Sequence, residues 1–229
     1  MRLLTFNSAK TAKGQDLGYL TGILYLHPGA DPTLCPSATP ACRAACLVRA
    51  GRARMFAAVE AARRQRTAFF RDDPLTFEHH LLKDLQSLRR RAERLGMRAA
   101  LRLNGTSDVA PQTWQYVYAL AKSYGITTYE YTKRRDVTRV EDHTTYSMTA
   151  ADPTQIMPGQ ANALVFDVGR SRPLPTRFLG LRVIDGDKHD LRFLDREENE
   201  IAPNETYIVG LRLKRTVGDA VARRKGFAV

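Results

Sequence analysis

The chain alternates short apolar segments of strand length with long amphipathic segments, and this alternation is the feature that most constrains its fold. Residues 18–26, GYLTGILYL, form an apolar run rich in β-favouring side chains, which predicts a first strand. Residues 40–71 and 74–95 carry apolar side chains at three- and four-residue spacing, which predicts two helices separated by a break at Pro74.

The rest of the chain continues the alternation. Further strands are predicted at residues 98–103, 127–131, 145–148, 163–168, 179–184 and 207–213, and a further helix at residues 111–124. This pattern predicts an α/β fold, either a partial (β/α) barrel or a mostly parallel sheet with flanking helices, with function at the carboxyl ends of the strands. The second half has little room for crossover helices, so we expect some of its strands to be antiparallel or joined by loops.

The domain organisation follows from the absence of breaks. No internal repeat or low-complexity linker interrupts the sequence, so we expect a single domain over residues 1–229, with a hydrophobic content of 43% sufficient for a core. Residues 217–229, which include the run Arg223-Arg224-Lys225, are expected to form a short basic tail helix.

All three cysteines of the chain, Cys35, Cys42 and Cys46, lie in the segment CPSATPACRAAC. Their odd number and short spacing argue against a disulfide framework. Thr39 and Pro40 form a typical helix start, so Cys42 and Cys46 should share one helix face while Cys35 enters from the preceding loop. The exposed amides of that first turn favour thiolates, so the segment after the first strand is predicted to be a metal loop.

The three thiols leave one ligand position open, because iron–sulfur clusters and structural zinc both take four ligands. A histidine, carboxylate, water or organic ligand would fill it, and His27 and His189 are the candidate histidines. We expect a [4Fe–4S] cluster, with zinc as the alternative metal. The alternative without metal is three buried small apolar side chains.

The charge of the chain favours a polyanionic partner. The formal net charge is +12, and residues 43–98 alone contain fourteen basic and six acidic side chains. This distribution predicts binding to nucleic acid or to a phosphorylated substrate, the alternative being solvated helix faces. No apolar run of membrane-spanning length and no secretion signal occur, so we expect no membrane association and a cytoplasmic location.

Two polar clusters follow predicted strands. The segment NGTSD after residue 103 can cradle a cofactor or substrate through its small polar side chains, which are Asn104, Thr106, Ser107 and Asp108. The alternative for this cluster is a loop with an Asp helix cap before Pro111.

The second cluster, DGDKHD, follows residue 184. Its Asp185, Asp187, His189 and Asp190 could bind Mg²⁺ or Ca²⁺ or supply acid–base groups, and the alternative is an Asp- and Gly-rich turn. Lys133, after the strand at 127–131, could neutralise a carboxylate or phosphate.

Several segments together resemble a known family. The strings NSAKTAK, YLTGILYLHPG, CPSATPACRAACLVRAGR, LRLNGTSD, YEYTK, VIDGDKHDLRF and YIVGLRLKR are similar to the phage-encoded family called gene product 88. The resemblance covers nearly the whole chain. It implies a phage or prophage origin, and therefore a location in the host cytoplasm, but no activity.

A more distant resemblance is to radical S-adenosylmethionine enzymes, whose three cysteines follow the first strand of a partial barrel. It implies that S-adenosylmethionine occupies the open iron and that the loop in LRLNGTSD contacts the methionine amine. The chain departs from that family in its C-x6-C-x3-C spacing, where C-x3-C-x2-C is usual, and in lacking a Gly-Gly-Glu segment.

Three functions are therefore open. In the first, a radical-type iron–sulfur enzyme acts on nucleic acid or a nucleotide, the loop in LRLNGTSD contacts cofactor or substrate, and the pocket is lined by Lys133, Asp185 and Asp187. In the second, a metal-stabilised protein binds nucleic acid without catalysis. In the third, Asp185, Asp187 and Asp190 serve a metal-dependent nuclease.

Overall fold

The computed structural model describes residues 1–29, 31–49, 56–149, 152–169, 171–214 and 226–229. Most of the predicted basic tail helix lies outside the described residues. The chain divides into two compact units. The first unit comprises Met1–Pro36, Ala57–Glu130 and Asp136–His143, and the second comprises Ser37–Phe56, Tyr131–Arg135 and Thr144–Val229. A single domain stays a prediction, and each unit is described by itself below.

Nine strands and six α-helices lie in the described residues. The strands are β1 (Leu4–Thr5), β2 (Tyr19–Leu24), β3 (Arg98–Arg102), β4 (Thr127–Thr132), β5 (His143–Ser147), β6 (Ala161–Phe166), β7 (Arg177–Phe178), β8 (Leu181–Asp185) and β9 (Tyr207–Arg212). The helices are α1 (Ala9–Gln15), α2 (Pro40–Ala44), α3 (Ala57–Asp72), α4 (Pro74–Arg94), α5 (Gln115–Ser123) and α6 (Asp195–Glu198).

The sheet of the first unit has the strand order β1-β2-β3-β4. β2 is parallel to β3, with Ile23 opposite Arg102, and β3 is parallel to β4, with Leu101 opposite Thr128. Only β1 runs antiparallel, on β2. Because the three parallel strands point the same way, the loops that follow them leave from one edge of the sheet.

Helix α4 covers this sheet and shows how the sequence sets its boundaries. Asp73 caps the helix by accepting a hydrogen bond from the Thr76 amide at 3.1 Å, and Pro74 occupies the first position. The buried face carries Phe77, Leu81, Leu85 and Leu88, each about 0% exposed. Each such side chain stabilises the fold by about 1.5–3 kcal/mol.

The second unit contains a sheet with the strand order β5-β6-β9-β8-β7. All of its pairs are parallel except β7 with β8. Its core is formed by apolar side chains on both faces of β6 and β9, including Leu164, Ile208 and Val209. The predicted α/β class with a mostly parallel sheet and flanking helices is therefore confirmed, as is the expectation of some antiparallel pairing in the second half.

Two details of the sequence prediction were wrong. The helix predicted over residues 40–71 is interrupted: α2 ends at Ala44, a 3₁₀ turn occupies Leu47–Arg49, and α3 begins at Ala57. Residues 50–55 of this predicted helix lie outside the described residues. The strand that the sequence predicts as the first, at residues 18–26, is the second strand, β2, because the short β1 and α1 precede it.

Candidate functional site

The loops that follow β2 and β3 are joined to each other at the carboxyl edge of the first unit. The Gly105 amide donates to the Leu24 carbonyl at 3.0 Å, and the Thr106 hydroxyl donates to the Leu26 carbonyl at 2.5 Å. The Asp108 amide donates to the carbonyl of Leu34 at 2.8 Å. The loop in LRLNGTSD is thus fixed beside the residue that directly precedes Cys35.

Asn104 organises the inside of this loop. Its side chain is 2% exposed, and its Oδ1 accepts hydrogen bonds from the Ser107 hydroxyl and the Val109 amide, both at 2.9 Å. Its Nδ2 donates to the Val109 carbonyl at 3.2 Å. Asn104 and Ser107 therefore hold the loop in shape, whereas Thr106 and Asp108 remain partly exposed.

The glycine of this loop is required by close packing. A Cβ atom on Gly105 would lie 2.6 Å from Ile23 Cγ2 and 2.7 Å from the Leu24 carbonyl oxygen. Because the second of these is a backbone atom of β2, it cannot move aside cheaply. The close approach of the two loops therefore depends on glycine at this position.

The buried carboxylate of Glu130, on β4, holds the start of this loop by accepting hydrogen bonds from its backbone. Its Oε1 accepts hydrogen bonds from the Leu103 amide at 2.5 Å and the Tyr118 hydroxyl at 2.8 Å, and its Oε2 accepts from the Asn104 amide at 2.9 Å. Burial raises the pKa of Glu130 to about 7, although the positive charge of Arg102 and these donors act in the opposite direction.

The sequence analysis did not select Glu130. The sequence does contain an indication of it, which is a carboxylate within the strand segment TYEYT. A carboxylate in a buried strand is stable only when several hydrogen-bond donors surround it. Burial and the neighbouring Glu130 charge also raise the pKa of Tyr118, so this phenol stays protonated and keeps donating.

His27 lies in the loop after β2 and is 4% exposed. Its amide donates to the Thr67 hydroxyl at 2.8 Å, and its Nε2 lies 3.6 Å from Glu60 Oε1. Burial, and next the positive charge of Arg64, lower the pKa of His27, so the imidazole is neutral near pH 7. Within the described residues its Nδ1 has no hydrogen-bond partner, which suits a candidate metal ligand.

The cysteine segment begins its helix where the sequence predicts. The Thr39 hydroxyl accepts from the Cys42 amide at 3.1 Å, and Pro40 is the first helical residue. Cys46 follows the end of α2. Cys35, Cys42 and Cys46 are all partly exposed residues, whereas the alternative without metal expects them to be buried.

Cys35 belongs to the first unit, and Cys42 and Cys46 belong to the second. In the described part of the chain, no group of three or more His, Cys, Asp or Glu side chains is arranged to hold a metal ion. The metal loop is therefore not confirmed and stays a prediction.

The acidic loop after β8 lies in the second unit and is paired with an arginine. Arg212 on β9 donates to both oxygens of Asp185, at 2.8 and 3.0 Å, and to Asp187 at 3.1 Å. Burial alone would raise the pKa of Asp185, but the bonds from Arg212 and from the Asp187 amide outweigh it and hold the pKa below its usual value. The structure thus brings Asp185 and Asp187 together in a turn whose charge Arg212 balances.

The other residues of this loop also have partners. His189 Nε2 lies 2.7 Å from Glu198 Oε2, and its Nδ1 accepts from the Leu191 amide at 3.2 Å, so both ring nitrogens are engaged. Asp190 is buried, 8% exposed. His189 would have to give up one of these bonds to serve as a metal ligand.

Lys133 makes a separate set of contacts in the second unit. Its Nζ donates to the Met148 carbonyl at 3.2 Å and to the Thr149 hydroxyl at 2.8 Å. These bonds fix the loop after β4 to the loop after β5. The role of Lys133 in neutralising a substrate charge stays a prediction.

The chain matches the family described as Gene product 88 over residues 2–228. No curated protein matches the chain significantly, and neither does any solved structure. Among the described residues, no helix is both long and apolar enough to cross a bilayer. Because the family match spans nearly the whole chain, this protein belongs to the phage gene product 88 family.

Proposed function

We propose that the protein binds a [4Fe–4S] cluster through Cys35, Cys42 and Cys46 and acts on a phosphate-rich substrate. The observation that carries the proposal is that all three cysteines, the only ones in the sequence, are partly exposed. Cysteines that served only as core residues would be buried. Three partly exposed cysteines within twelve residues are instead the residue type and close spacing from which a metal centre is built.

The surroundings of Cys35 support a site at this edge of the first unit. The bond from the Asp108 amide to the Leu34 carbonyl keeps the loop in LRLNGTSD next to Cys35. Glu130 and Asn104 hold that loop rigid from inside, so its partly exposed Thr106 and Asp108 can orient a ligand. The net charge of +12 favours a phosphate-bearing substrate.

The finer form of the proposal is a radical-type enzyme in which S-adenosylmethionine occupies the open iron. A bound cluster would supply one-electron chemistry to that ligand. In this form, Asp108 would accept a hydrogen bond from the methionine amine, and Thr106 would contact the same ligand. Without an organic ligand, His27 is the candidate for the fourth position, since its imidazole is neutral and its Nδ1 is available.

The nuclease alternative has less support. Mg²⁺ is bound by carboxylates that are available to it. Asp185 and Asp187 instead share the guanidinium of Arg212, which occupies the position where a cation would balance their charge. A nuclease acting through this loop would first have to displace Arg212.

Anaerobic purification followed by iron and sulfide analysis tests the proposal. We expect a brown protein with iron and sulfide near about four per chain, as a [4Fe–4S] cluster requires. Cys42→Ser should lose most of the iron, whereas Ser37→Ala, an exposed position in the same segment, should retain it. A colourless protein loaded with zinc would falsify the cluster.

A second measurement separates the finer form from a redox or structural cluster. The reduced holoprotein should cleave S-adenosylmethionine, and the Cys42→Ser variant should not. If the wild-type protein carries the cluster but leaves S-adenosylmethionine intact, the radical mechanism is excluded and the cluster itself stands.

A further inference from the structure

The outward face of α4 carries three cations in one line. Lys83, Arg90 and Arg94 recur at seven and four residues, which places them on the same face of a helix, and all three are exposed. The opposite face of the same helix is the buried one that carries Leu81 and Leu88. We call these three residues the α4 basic face, and it extends over about 16 Å at about 1.5 Å per residue.

The α4 basic face differs from three other arginines of α3 and α4, which have carboxylate partners. Arg64 pairs with Glu60, Arg71 with Asp72 and Arg89 with Glu93, each at 2.7 Å. The buried Asp84 of α4 accepts hydrogen bonds from the backbone amides at residues 3 and 4. The Asp84 carboxylate therefore lies on the buried side of the helix, away from the α4 basic face.

None of the three residues of the α4 basic face forms an ion pair within the part of the chain that the structure describes. The helix dipole explains why a cation is favoured at only one of these three positions. Arg94 lies in the last turn, where the helix dipole favours a cation. Lys83 and Arg90 lie earlier in the helix, so the dipole does not account for these two cations.

We propose that the α4 basic face binds the sugar–phosphate backbone of a nucleic acid. A regularly charged polyanion can meet several cations of one line at once and releases counterions when it does so. An anionic bilayer is the less suitable partner, because Gln86 and Ser87 between the cations are polar and a membrane-bound helix needs an apolar face. This interaction does not depend on the proposed cluster.

The test measures binding of the full-length protein to a mixed-sequence DNA duplex across a series of salt concentrations. One variant combines Lys83→Gln, Arg90→Gln and Arg94→Gln. The matched control combines Arg64→Gln, Arg71→Gln and Arg89→Gln, which also removes three positive charges but from ion-paired positions. A net-charge effect would weaken both variants alike.

We expect the α4 basic face variant to bind about 100-fold more weakly at physiological salt, and its slope of log affinity against log salt to fall by about 3. The matched control should stay within a few-fold of the wild type. Equal loss in both variants, or a wild type that does not bind DNA, would overturn the proposal. So would a wild type that binds anionic vesicles and ignores the duplex.

Circular dichroism and thermal melting of both variants confirm that the helices still form. Iron and sulfide content is measured on the same samples and should be equal in all of them. A protein that binds DNA through the α4 basic face but contains no cluster refutes the proposed function alone. A protein that contains the cluster, but whose affinity for DNA does not depend on the α4 basic face, refutes this inference alone.

Discussion

Replacing Glu130 with glutamine should change how the stability of the protein depends on pH. Glu130 is 0% exposed, and its pKa is about 7 in the folded protein against an ordinary value of 4.5. Because the folded value is the higher one, the protonated carboxyl favours folding at low pH. That contribution is lost as the pH rises from the unfolded pKa through the folded pKa.

The magnitude follows from the two values. The difference between 4.5 and about 7 corresponds to about 3 kcal/mol, at about 1.4 kcal/mol for each pH unit. Wild-type Glu130 should therefore lower the free energy of unfolding by about 3 kcal/mol between about pH 4 and about pH 8. Glutamine does not ionise, so the variant lacks this contribution.

Glutamine also changes the hydrogen bonds around residue 130. Both carboxyl oxygens of Glu130 accept bonds from backbone amides, those of Leu103 and Asn104, and the NH₂ group of glutamine cannot accept one. We expect Glu130→Gln to be less stable than the wild type by about 1 kcal/mol at low pH. It should become the more stable protein above about pH 5.5, because the wild type has by then lost more than about 1 kcal/mol of its own stability.

Urea unfolding at constant ionic strength from about pH 4 to about pH 8 measures the difference. Glu78→Gln, at a partly exposed position on α4, is the control and should follow the wild type at every pH. Asp195, whose pKa burial also raises to about 7, contributes equally to all three proteins and cancels. A stability difference between Glu130→Gln and wild type that stays constant over this range would refute the reasoning.

Two further substitutions test the loops. Arg212→Lys should destabilise the second unit by about 2 kcal/mol in urea unfolding, because lysine cannot reproduce the paired bonds to Asp185. The pKa of Asp185 should also rise in an NMR titration, and an unchanged titration would contradict this. Gly105→Ala should cost about 2–3 kcal/mol in the same assay, because its Cβ would meet backbone at 2.7 Å, whereas Gly169→Ala, with its nearest neighbour at 3.7 Å, should be close to neutral.

The sequence located the loops of the candidate site but not their supports. The apolar strand at residues 98–103 followed by NGTSD correctly predicts a polar loop at a strand end. That Asn104 and Ser107 bond to each other depends on the path of the loop, which local sequence does not specify. Glu130 was missed because it lies 26 residues from Asn104 in the chain, and only the pairing of β3 with β4 brings the two together.

The acidic loop after β8 also depends on a partner that is distant in the sequence. The residue types in DGDKHD are those of a cation site, and the sequence leaves a turn as the alternative. The partner that balances Asp185 and Asp187 is Arg212, 27 and 25 residues later in the chain. β8 and β9 pair in parallel, with Asp185 opposite Gly210, and this register places Arg212 beside the loop.

The sequence by itself determined the α/β class, the order of most strands and helices, the start of the cysteine helix at Pro40 and the family to which the chain belongs. These properties depend on periodicity, capping and composition, which are local along the chain. Only the tertiary structure decided which polar groups are buried and which partners they meet, as for Glu130 and Arg212. Such pairings join residues far apart in sequence, and burial then fixes their charge and hydrogen bonding.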